Sequence, residues 1–141
     1  MQEQQTDIWS YWGRAVLVIT TNGSVTQDGR SIPGRGVAGD AATRFPELRQ
    51  RLGALLQTGG NHVYEILPGL VSFPVEETPY SLPDTRLIRQ SAIELRQLAD
   101  QRGWQMIVVP RPGCGGGGLN WQEVRPLLAD LLDGRFIIVH S

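Results

Sequence analysis

The stretch that decides the fold runs Val108-Val109-Pro110-Arg111-Pro112-Gly113-Cys114-Gly115-Gly116-Gly117-Gly118-Leu119-Asn120-Trp121. An apolar strand leads into five glycines, and a helix start follows them. Residues without Cβ let main-chain N–H groups converge on a ligand, and a helix terminus adds partial positive charge. The pattern is typical of a loop that binds phosphate or diphosphate. The alternative is a flexible linker, but glycine linkers usually contain serine and rarely join a valine-rich strand to a capped helix.

Two common nucleotide motifs do not fit this stretch. The run from Gly113 to Gly118 matches G-x-G-x-x-G, but a dinucleotide fold needs a further strand ending in an acidic residue about twenty positions downstream. The next strand ends at His140 instead. A Walker loop requires lysine, and all 13 basic residues are arginine. The lack of lysine also excludes Schiff-base chemistry and a lysine nucleophile.

The composition predicts one ordinary domain over residues 1–141. With 40% hydrophobic residues and a net charge of −1, the chain is long enough for a single core. The near-neutral balance argues against strong sequence-independent nucleic-acid binding. The single Cys114 and two distant histidines give neither a disulfide nor metal-ligand spacing, so we expect no metal and no cofactor. Without a signal peptide or membrane-spanning run, we expect a cytoplasmic protein with no membrane partner.

Strands and helices alternate along the chain. Apolar runs predict strands at 15–20, 62–67, 70–73, 106–109 and 135–140. Helices are predicted from a cap at Asp40, from Phe45-Pro46 to the glycines at 59–60, from a cap at Asp84 to Gly103, and from Asn120 to Gly134 with a kink at Pro126. This order predicts an α/β fold with helices on both sides of a sheet.

Two glycine-rich loops, 22–39 and 111–119, each follow a buried strand. Ligands of α/β sheets lie outside the carboxyl ends of the strands, where such loops meet. Two such loops facing each other would hold an extended diphosphate ligand from both sides.

The residues of these loops resemble the macrodomain family. The resemblance is carried by Thr21-Asn22-Gly23, by Gly34-Arg35-Gly36-Val37-Ala38 with Phe45-Pro46 after it, by Ser72-Phe73-Pro74, and by Gly113 through Trp121. It covers nearly the whole chain and is most specific to the branch that removes ADP-ribose from DNA and protein. It implies a three-layer α/β/α fold in which helices flank a mixed sheet. The implied partner is ADP-ribose or an ADP-ribosylated macromolecule, bound in a surface cleft.

The resemblance also implies ligand-binding positions. Asp7, beside Ile8, would accept a hydrogen bond from the adenine amino group, and Asn22 would hold the distal ribose. The residues that would flank that ribose and the diphosphate are Gly34, Arg35, Gly36 and Val37. The implied phosphate loop consists of Gly113, Cys114, Gly115, Gly116, Gly117 and Gly118. Three alternatives stay open: Asp7 as a solvated terminal charge, Asn22 as a turn former, and Cys114 as a small spacer or a low-pKa thiol.

Asn22 and Arg35 are the candidate catalytic residues. The lysine and the acid found in members of that branch have no counterpart, since Arg35 and Gly117 stand at the positions that we align with them. An arginine cannot be a nucleophile. A water positioned by Asn22 and the diphosphate could still attack, with Arg35 stabilising the leaving group or phosphate. Spacing singles out none of the candidate bases, which are His62, Asp28, Asp40, Glu76 and Glu77.

Three hypotheses follow from the sequence. The first is a hydrolase that releases ADP-ribose from a modified macromolecule or from a small ester such as ADP-ribose 1″-phosphate. The second is a non-catalytic reader that binds or sequesters ADP-ribose or a related nucleotide. The third is a glycine-loop domain whose ligand is another phosphorylated metabolite.

Overall fold

Six strands form one mixed sheet in the computed structural model, which describes residues 1–141. The strands are β1 (Gln2–Gln5), β2 (Val16–Asn22), β3 (Glu65–Leu67), β4 (Leu70–Glu76), β5 (Ile107–Pro110) and β6 (Phe136–His140). Their spatial order is β1-β6-β5-β2-β4-β3. All neighbours pair in parallel except β3, which runs antiparallel to β4 at one edge.

Helices cover both faces of the sheet, as predicted. They are α1 (Val37–Arg44), α2 (Leu48–Gly59), α3 (Thr85–Arg102), α4 (Trp121–Leu128) and a short 3₁₀ helix (Ile8–Tyr11). One buried cluster of 15 residues joins α3 and α4 to the sheet, and another of 13 residues joins α1, α2 and the 3₁₀ helix to it. Successive residues of β2 alternate between the clusters, with Val18 in the first and Leu17 and Ile19 in the second. This strand is therefore buried on both faces. None of the helices is long and apolar enough to cross a membrane.

After β2 and after the neighbouring parallel strand β5, the chain adds its next strands on opposite sides of the sheet. From β2 it continues through α1 and α2 to β3 and β4 on one side, whereas from β5 it continues through α4 to β6 on the other side. Neighbouring strands with opposite continuations form a topological switch point, where the loops at the carboxyl ends part and leave a crevice. The two glycine-rich loops identified in the sequence leave the sheet at this point.

Two predicted helix ends differ from the structure. The first helix starts at Val37 after Gly36, which has a φ of +68°, so Asp40 lies inside the first turn and is not the cap. The last helix ends at Leu128 and not at Gly134, and the residues after it form a turn in which the Leu131 N–H bonds the carbonyl of Leu128, three residues back. Asn120 is the N-cap residue, but its side chain bonds the Glu123 carboxylate at 3.1 Å rather than the main chain.

Two predicted strands also differ. Of the predicted strand at 62–67, only Glu65–Leu67 pairs as a strand. Side chains take the earlier donors, because the Val63 N–H bonds the Glu94 carboxylate and the Tyr64 N–H bonds the Ser72 hydroxyl. β1 was not predicted at all. Its sequence is polar, and it pairs with β6 at an exposed edge.

Candidate functional site

Three of the segments that leave the carboxyl edge of the sheet are the loops after β2, β4 and β5. They span residues 23–36 after β2, 77–84 after β4 and 111–120 after β5. Since β2 lies between β4 and β5, the loop after β2 emerges between the other two. This edge therefore gathers both glycine-rich loops of the sequence.

The loop after β4 braces both of its neighbours. The Glu77 carbonyl accepts hydrogen bonds from the Gly23 N–H at 3.0 Å and from the Ser24 hydroxyl at 3.4 Å. On the other side, Pro83 lies so close to Gly113 that a Cβ on that glycine would come within 3.2 Å of the proline ring. The loop after β4 thus contacts both glycine-rich loops.

The glycines of the loop after β5 have two different roles. A Cβ on Gly117 would lie 2.6 Å from the Gly113 carbonyl oxygen, and one on Gly113 would lie 2.9 Å from the Leu119 side chain. These two glycines allow the loop to pack on itself. Gly115 and Gly116 have nothing within 4 Å of such a Cβ and are exposed. Their surface is open to a ligand.

Four consecutive N–H groups in this loop have no protein acceptor. The loop is closed by hydrogen bonds from the Cys114 N–H to the Arg111 carbonyl at 3.2 Å and from the Leu119 N–H to the Gly113 carbonyl at 3.0 Å. The N–H groups between them, those of Gly115–Gly118, donate to nothing in the protein. Successive unpaired amides in a turn form a concave site of positive potential. The arrangement can bind a phosphate group.

A second set of unpaired donors lies at the start of α1. The N–H groups of Val37, Ala38 and Gly39 have no acceptor, and no side chain caps this helix. The first turn of a helix leaves such groups free, and the helix dipole makes that end favourable for an anion. The predicted ligand residues lie at this helix start: Gly34, Arg35 and Gly36 precede it, and Val37 is its first residue. The structure thus brings this segment and the Gly113–Gly118 loop to the ends of neighbouring strands.

Asn22 anchors the loop after β2. It is 4% exposed, its Nδ2 donates to the Ile32 carbonyl at 2.9 Å, and its Oδ1 accepts from the Ser24 N–H at 3.0 Å. The structure thus gives Asn22 the turn-forming role that the sequence left open. An amide side chain has two N–H groups and two lone pairs, so one of each remains unpaired within the protein.

Sequence reasoning missed Ser31. Its buried hydroxyl has no hydrogen-bond partner, and the residue lines a cavity of about 10 Å³ together with Asn22 and Gly34. A cavity of that volume accommodates about one water molecule. No motif marks Ser31, because its position depends on two bonds to Arg49 on α2: the Ser31 N–H donates to the Arg49 carbonyl, and the Ser31 carbonyl accepts from Arg49 Nε.

Asp7 and Ile8 lie at the end of β1, separated from β2 by β6 and β5. The exposed Asp7 carboxylate caps the 3₁₀ helix by accepting from the Trp9 N–H at 3.0 Å. Ile8 is 3% exposed and belongs to the core cluster under α1 and α2. Ile8 is therefore a core residue, and Asp7 is the exposed member of the pair.

Arg35 and Cys114 contribute different chemistry to the edge. Arg35 is exposed and forms no hydrogen bond or ion pair, so its guanidinium is free to meet an anion. Burial raises the pKa of the Cys114 thiol, although Arg111 partly opposes the effect, and the thiol contacts the Pro112 carbonyl at 3.5 Å. The thiol therefore stays neutral at pH 7, which favours the spacer interpretation over the reactive one.

Arg111 and Glu3 were also missed. The Arg111 guanidinium lies over the Trp121 ring at 5.0 Å and 4.0 Å from the Glu3 carboxylate. Glu3 accepts from Arg125 at 3.0 Å and from the Trp121 indole at 2.8 Å, and these hydrogen bonds lower its pKa. The contacts fix the glycine loop and α4 to β1. A polar strand such as β1 gives no sequence signal for this role.

Solved structures of the same architecture identify the fold. The macrodomain of Thermus aquaticus DarG matches with a TM-score of 0.79 and 21% identity, over 99% of this chain and 97% of that one. The chain has the macrodomain fold. The macrodomain of Mycobacterium tuberculosis DarG matches with a TM-score of 0.77 and 22% identity, over 99% and 97% of the two chains.

A third match carries a ligand. The structure of Thermosipho africanus DarTG in complex with ADP-ribose matches this macrodomain with a TM-score of 0.75 and 19% identity, over 94% of this chain and 39% of that one. No family model matches the sequence, and no curated protein sequence matches it. The three-layer α/β/α fold predicted from the sequence is confirmed, and so is the resemblance to macrodomains at the level of the fold.

Proposed function

We propose that this macrodomain binds ADP-ribose at the carboxyl edge of its sheet. The observation that carries the proposal is the run of unpaired N–H groups at Gly115–Gly118, next to the strand from which the second set at Val37–Gly39 emerges. Two separate groups of donors match the two phosphates of a diphosphate. The ADP-ribose bound in the Thermosipho africanus structure supports the same ligand for this fold.

The remaining parts of the ligand would meet neighbouring residues. The distal ribose would lie at Asn22, whose second N–H and second lone pair are free, and beside Gly34 and Arg35. The adenine would lie toward the end of β1, where Asp7 retains one carboxylate oxygen that no donor occupies. The ligand would thus extend across the ends of β1, β6, β5 and β2 in the order of the sheet.

We further propose that the site hydrolyses an ADP-ribosyl linkage or ADP-ribose 1″-phosphate. Asn22 and the diphosphate donors would hold the distal ribose, and Arg35 would stabilise the departing group. Positioning and fixed electrostatics supply large rate factors without a protein nucleophile. Asn22 and Arg35 are thus the residues through which we expect catalysis to act. The cytoplasm remains the location that we propose.

A non-catalytic reader of ADP-ribose is the second candidate function. It is favoured by the lack of lysine in the chain and by Gly117, which provides no acid or base. The two functions share the ligand and differ in turnover. They separate when wild-type protein is incubated with ADP-ribosylated DNA, ADP-ribosylated protein and ADP-ribose 1″-phosphate, and released ADP-ribose is measured.

Calorimetry with ADP-ribose, ADP, AMP and NAD tests the ligand. ADP-ribose is expected to bind at least about tenfold more tightly than AMP, or about 1.4 kcal/mol, because AMP lacks the diphosphate and the distal ribose. Equal affinity for ADP-ribose and AMP would contradict the proposal. It would favour another phosphorylated metabolite as the ligand.

A further inference from the structure

Glu76 is the last residue of β4 and lies directly beside Asn22. Along the β2–β4 pair, Thr21 is in register with Pro74, whereas Asn22 is in register with Glu76. Val75 is therefore an extra residue on β4, and the pair contains a bulge at this point. Bulges redirect the residues that follow them and are common next to active sites. Here the bulge brings a carboxylate-bearing residue opposite the asparagine that we place at the distal ribose.

The Glu76 carboxylate is partly buried and has no partner. Its main-chain carbonyl accepts from the Asn61 side chain at 3.2 Å, but its side chain takes part in no hydrogen bond or ion pair. Burial raises the pKa of this carboxyl, and no charged group opposes or adds to the effect. The titratable groups beside this end of β4 include Glu77, Asp84, whose N–H bonds the Val75 carbonyl at 2.8 Å, and the His62–Glu94 pair, and none of them shifts the pKa of Glu76. A partly buried carboxylate without a neighbouring cation is common at functional sites.

The other candidate bases are engaged elsewhere or exposed. His62 pairs with Glu94 on α3 at 2.9 Å, and Asp28 accepts from the Thr26 hydroxyl within its own turn. The Glu77 carboxylate is exposed and accepts from Asn61. Asp40 is exposed in the first turn of α1 and makes no ion pair. Glu76 is thus the candidate base that combines an unpaired carboxylate with a position beside Asn22.

We propose that Glu76 is the general base that activates the hydrolytic water in this macrodomain, an inference that rests on the proposed ADP-ribosyl hydrolysis. The water oxygen forms a bond to C1″ of the distal ribose while its proton passes to the Glu76 carboxylate. The bond from C1″ to the leaving group breaks, and the leaving group departs with the bonding electron pair. A carboxylate or phosphate leaving group departs as an anion and needs no proton from the protein, whereas a more basic leaving group takes its proton from solvent. Glu76 afterwards returns the proton to solvent.

A general base within reach of its proton contributes roughly 10²–10⁴-fold to the rate and is most effective when its pKa lies near the working pH. Burial raises the pKa of Glu76 and so moves it toward a neutral working pH. The carboxylate is the active form, so kcat/KM should fall as the pH drops through the Glu76 pKa. This acid limb is expected above the usual range of a glutamate.

The experiment compares Glu76→Gln with the matched control Glu77→Gln, which removes the same charge one residue along the chain. The probes are ADP-ribose 1″-phosphate, ADP-ribosylated protein and ADP-ribosylated DNA, with ADP-ribose calorimetry on every variant. Glu76→Gln is expected to lower kcat at least about 100-fold and to flatten the acid limb, while ADP-ribose affinity stays near that of the wild type. Glu77→Gln should keep both the rate and the limb. Glu76→Asp, which retains a carboxylate, should keep the limb.

Two results would overturn the role of Glu76. One leaves the hydrolase proposal standing, and the other contradicts it as well. If wild type releases ADP-ribose and Glu76→Gln retains its kcat and its acid limb, hydrolysis stands and Glu76 is not the base. If wild type binds ADP-ribose but releases none from any of the three probes, the hydrolase proposal and the base both fail. Binding of ADP-ribose then remains as the function.

Discussion

The two edges of the sheet differ in how their polar groups are paired. At the amino edge, where β5 and β6 begin, Arg135 donates to Asp133 at 3.0 Å and to Asp100 at 2.8 Å. At the carboxyl edge, the N–H groups of Gly115–Gly118 have no protein acceptors. At the amino edge the charged groups of Arg135, Asp133 and Asp100 thus pair with one another. The guanidinium of Arg135 also reaches the Trp104 carbonyl, which joins the end of α3 to β6.

The difference shows which edge of the sheet has polar groups available to a ligand. Polar groups satisfied within the protein contribute to stability, while unsatisfied groups on a braced loop are available to a ligand without further rearrangement. The glycine loop is braced by Pro83 and closed by its own two hydrogen bonds. Changes at the open positions of the carboxyl edge should therefore alter binding, whereas changes to the ion pairs of the amino edge should alter stability.

The largest expected effect comes from Gly116→Glu. The substitution places a carboxylate where we expect phosphate, and it needs no rearrangement, because nothing lies within 4 Å of the new Cβ. ADP-ribose binding should weaken at least about 100-fold, or about 2.7 kcal/mol, with unfolding unchanged. Calorimetry and thermal unfolding measure the two.

Gly134→Glu is the matched control at the amino edge. Gly134 is exposed, and a Cβ there also has nothing within 4 Å. This variant should bind ADP-ribose like the wild type. Equal binding by both variants would mean that Gly116 does not face the ligand.

A pair of alanine substitutions separates packing glycines from open ones. Gly117→Ala would bring a Cβ within 2.6 Å of the Gly113 carbonyl oxygen, so it should lower the free energy of unfolding by about 1–3 kcal/mol. Gly115→Ala meets nothing and should leave it unchanged. Urea unfolding of both variants checks the difference, and equal stability would show that the loop yields without strain.

Asp7 tests the adenine end of the site. Asp7→Asn keeps an oxygen that can cap the 3₁₀ helix by accepting from the Trp9 N–H, but it removes the negative charge that an amino group would meet. ADP-ribose affinity should fall by an amount on the order of 1–2 kcal/mol, while stability changes little. Calorimetry measures the first and thermal unfolding the second. Wild-type affinity in this variant would remove Asp7 from the site.

The smallest effect is expected at Asp133. Its hydrogen bond with Arg135, more than any other contact, lowers its pKa to about 2, from a usual value of 3.8. A lowered pKa stabilises the fold at pH values above the unfolded-state pKa, and this contribution is lost as the pH falls toward 2. Because the side chain is 41% exposed, solvent limits the effect, and Asp133→Asn should cost no more than about 1 kcal/mol near pH 7.

Urea unfolding of wild type and Asp133→Asn from pH 7 to pH 2 measures this contribution. The difference between the two proteins should be constant above pH 4 and shrink as the pH approaches 2. Binding of ADP-ribose at pH 7 should be equal in both. A loss of affinity in Asp133→Asn would show that the two edges are coupled.

The sequence predicts those parts of the fold that depend on apolar periodicity. The buried strands at Val16–Asn22 and Ile107–Pro110 and the long helix capped by Asp84 agree with the prediction closely, because each buries a continuous apolar run or face. The polar strand Gln2–Gln5 carries no such pattern, since it lies exposed at an edge and is held by its pairing with β6. Its existence depends on tertiary contacts.

The candidate site divides in the same way. Glycine composition marks the Gly113–Gly118 loop, but only the structure distinguishes Gly117, which packs, from Gly116, which is open. The pairing of Asn22 with Glu76 in the strand register could not be predicted, because it depends on a bulge between two strands that are far apart in sequence. The unpartnered hydroxyl of Ser31 likewise results from the path of the loop.

A crystal structure of the wild-type chain with ADP-ribose tests the central claim most directly, which is that the unpaired amides of the glycine loop bind the diphosphate. The account predicts phosphate oxygens at about 2.7–3.2 Å from the nitrogens of at least two of the residues Gly115–Gly118. It also predicts the distal ribose beside Asn22. A diphosphate bound away from these amides, with the glycine loop unoccupied, would contradict it.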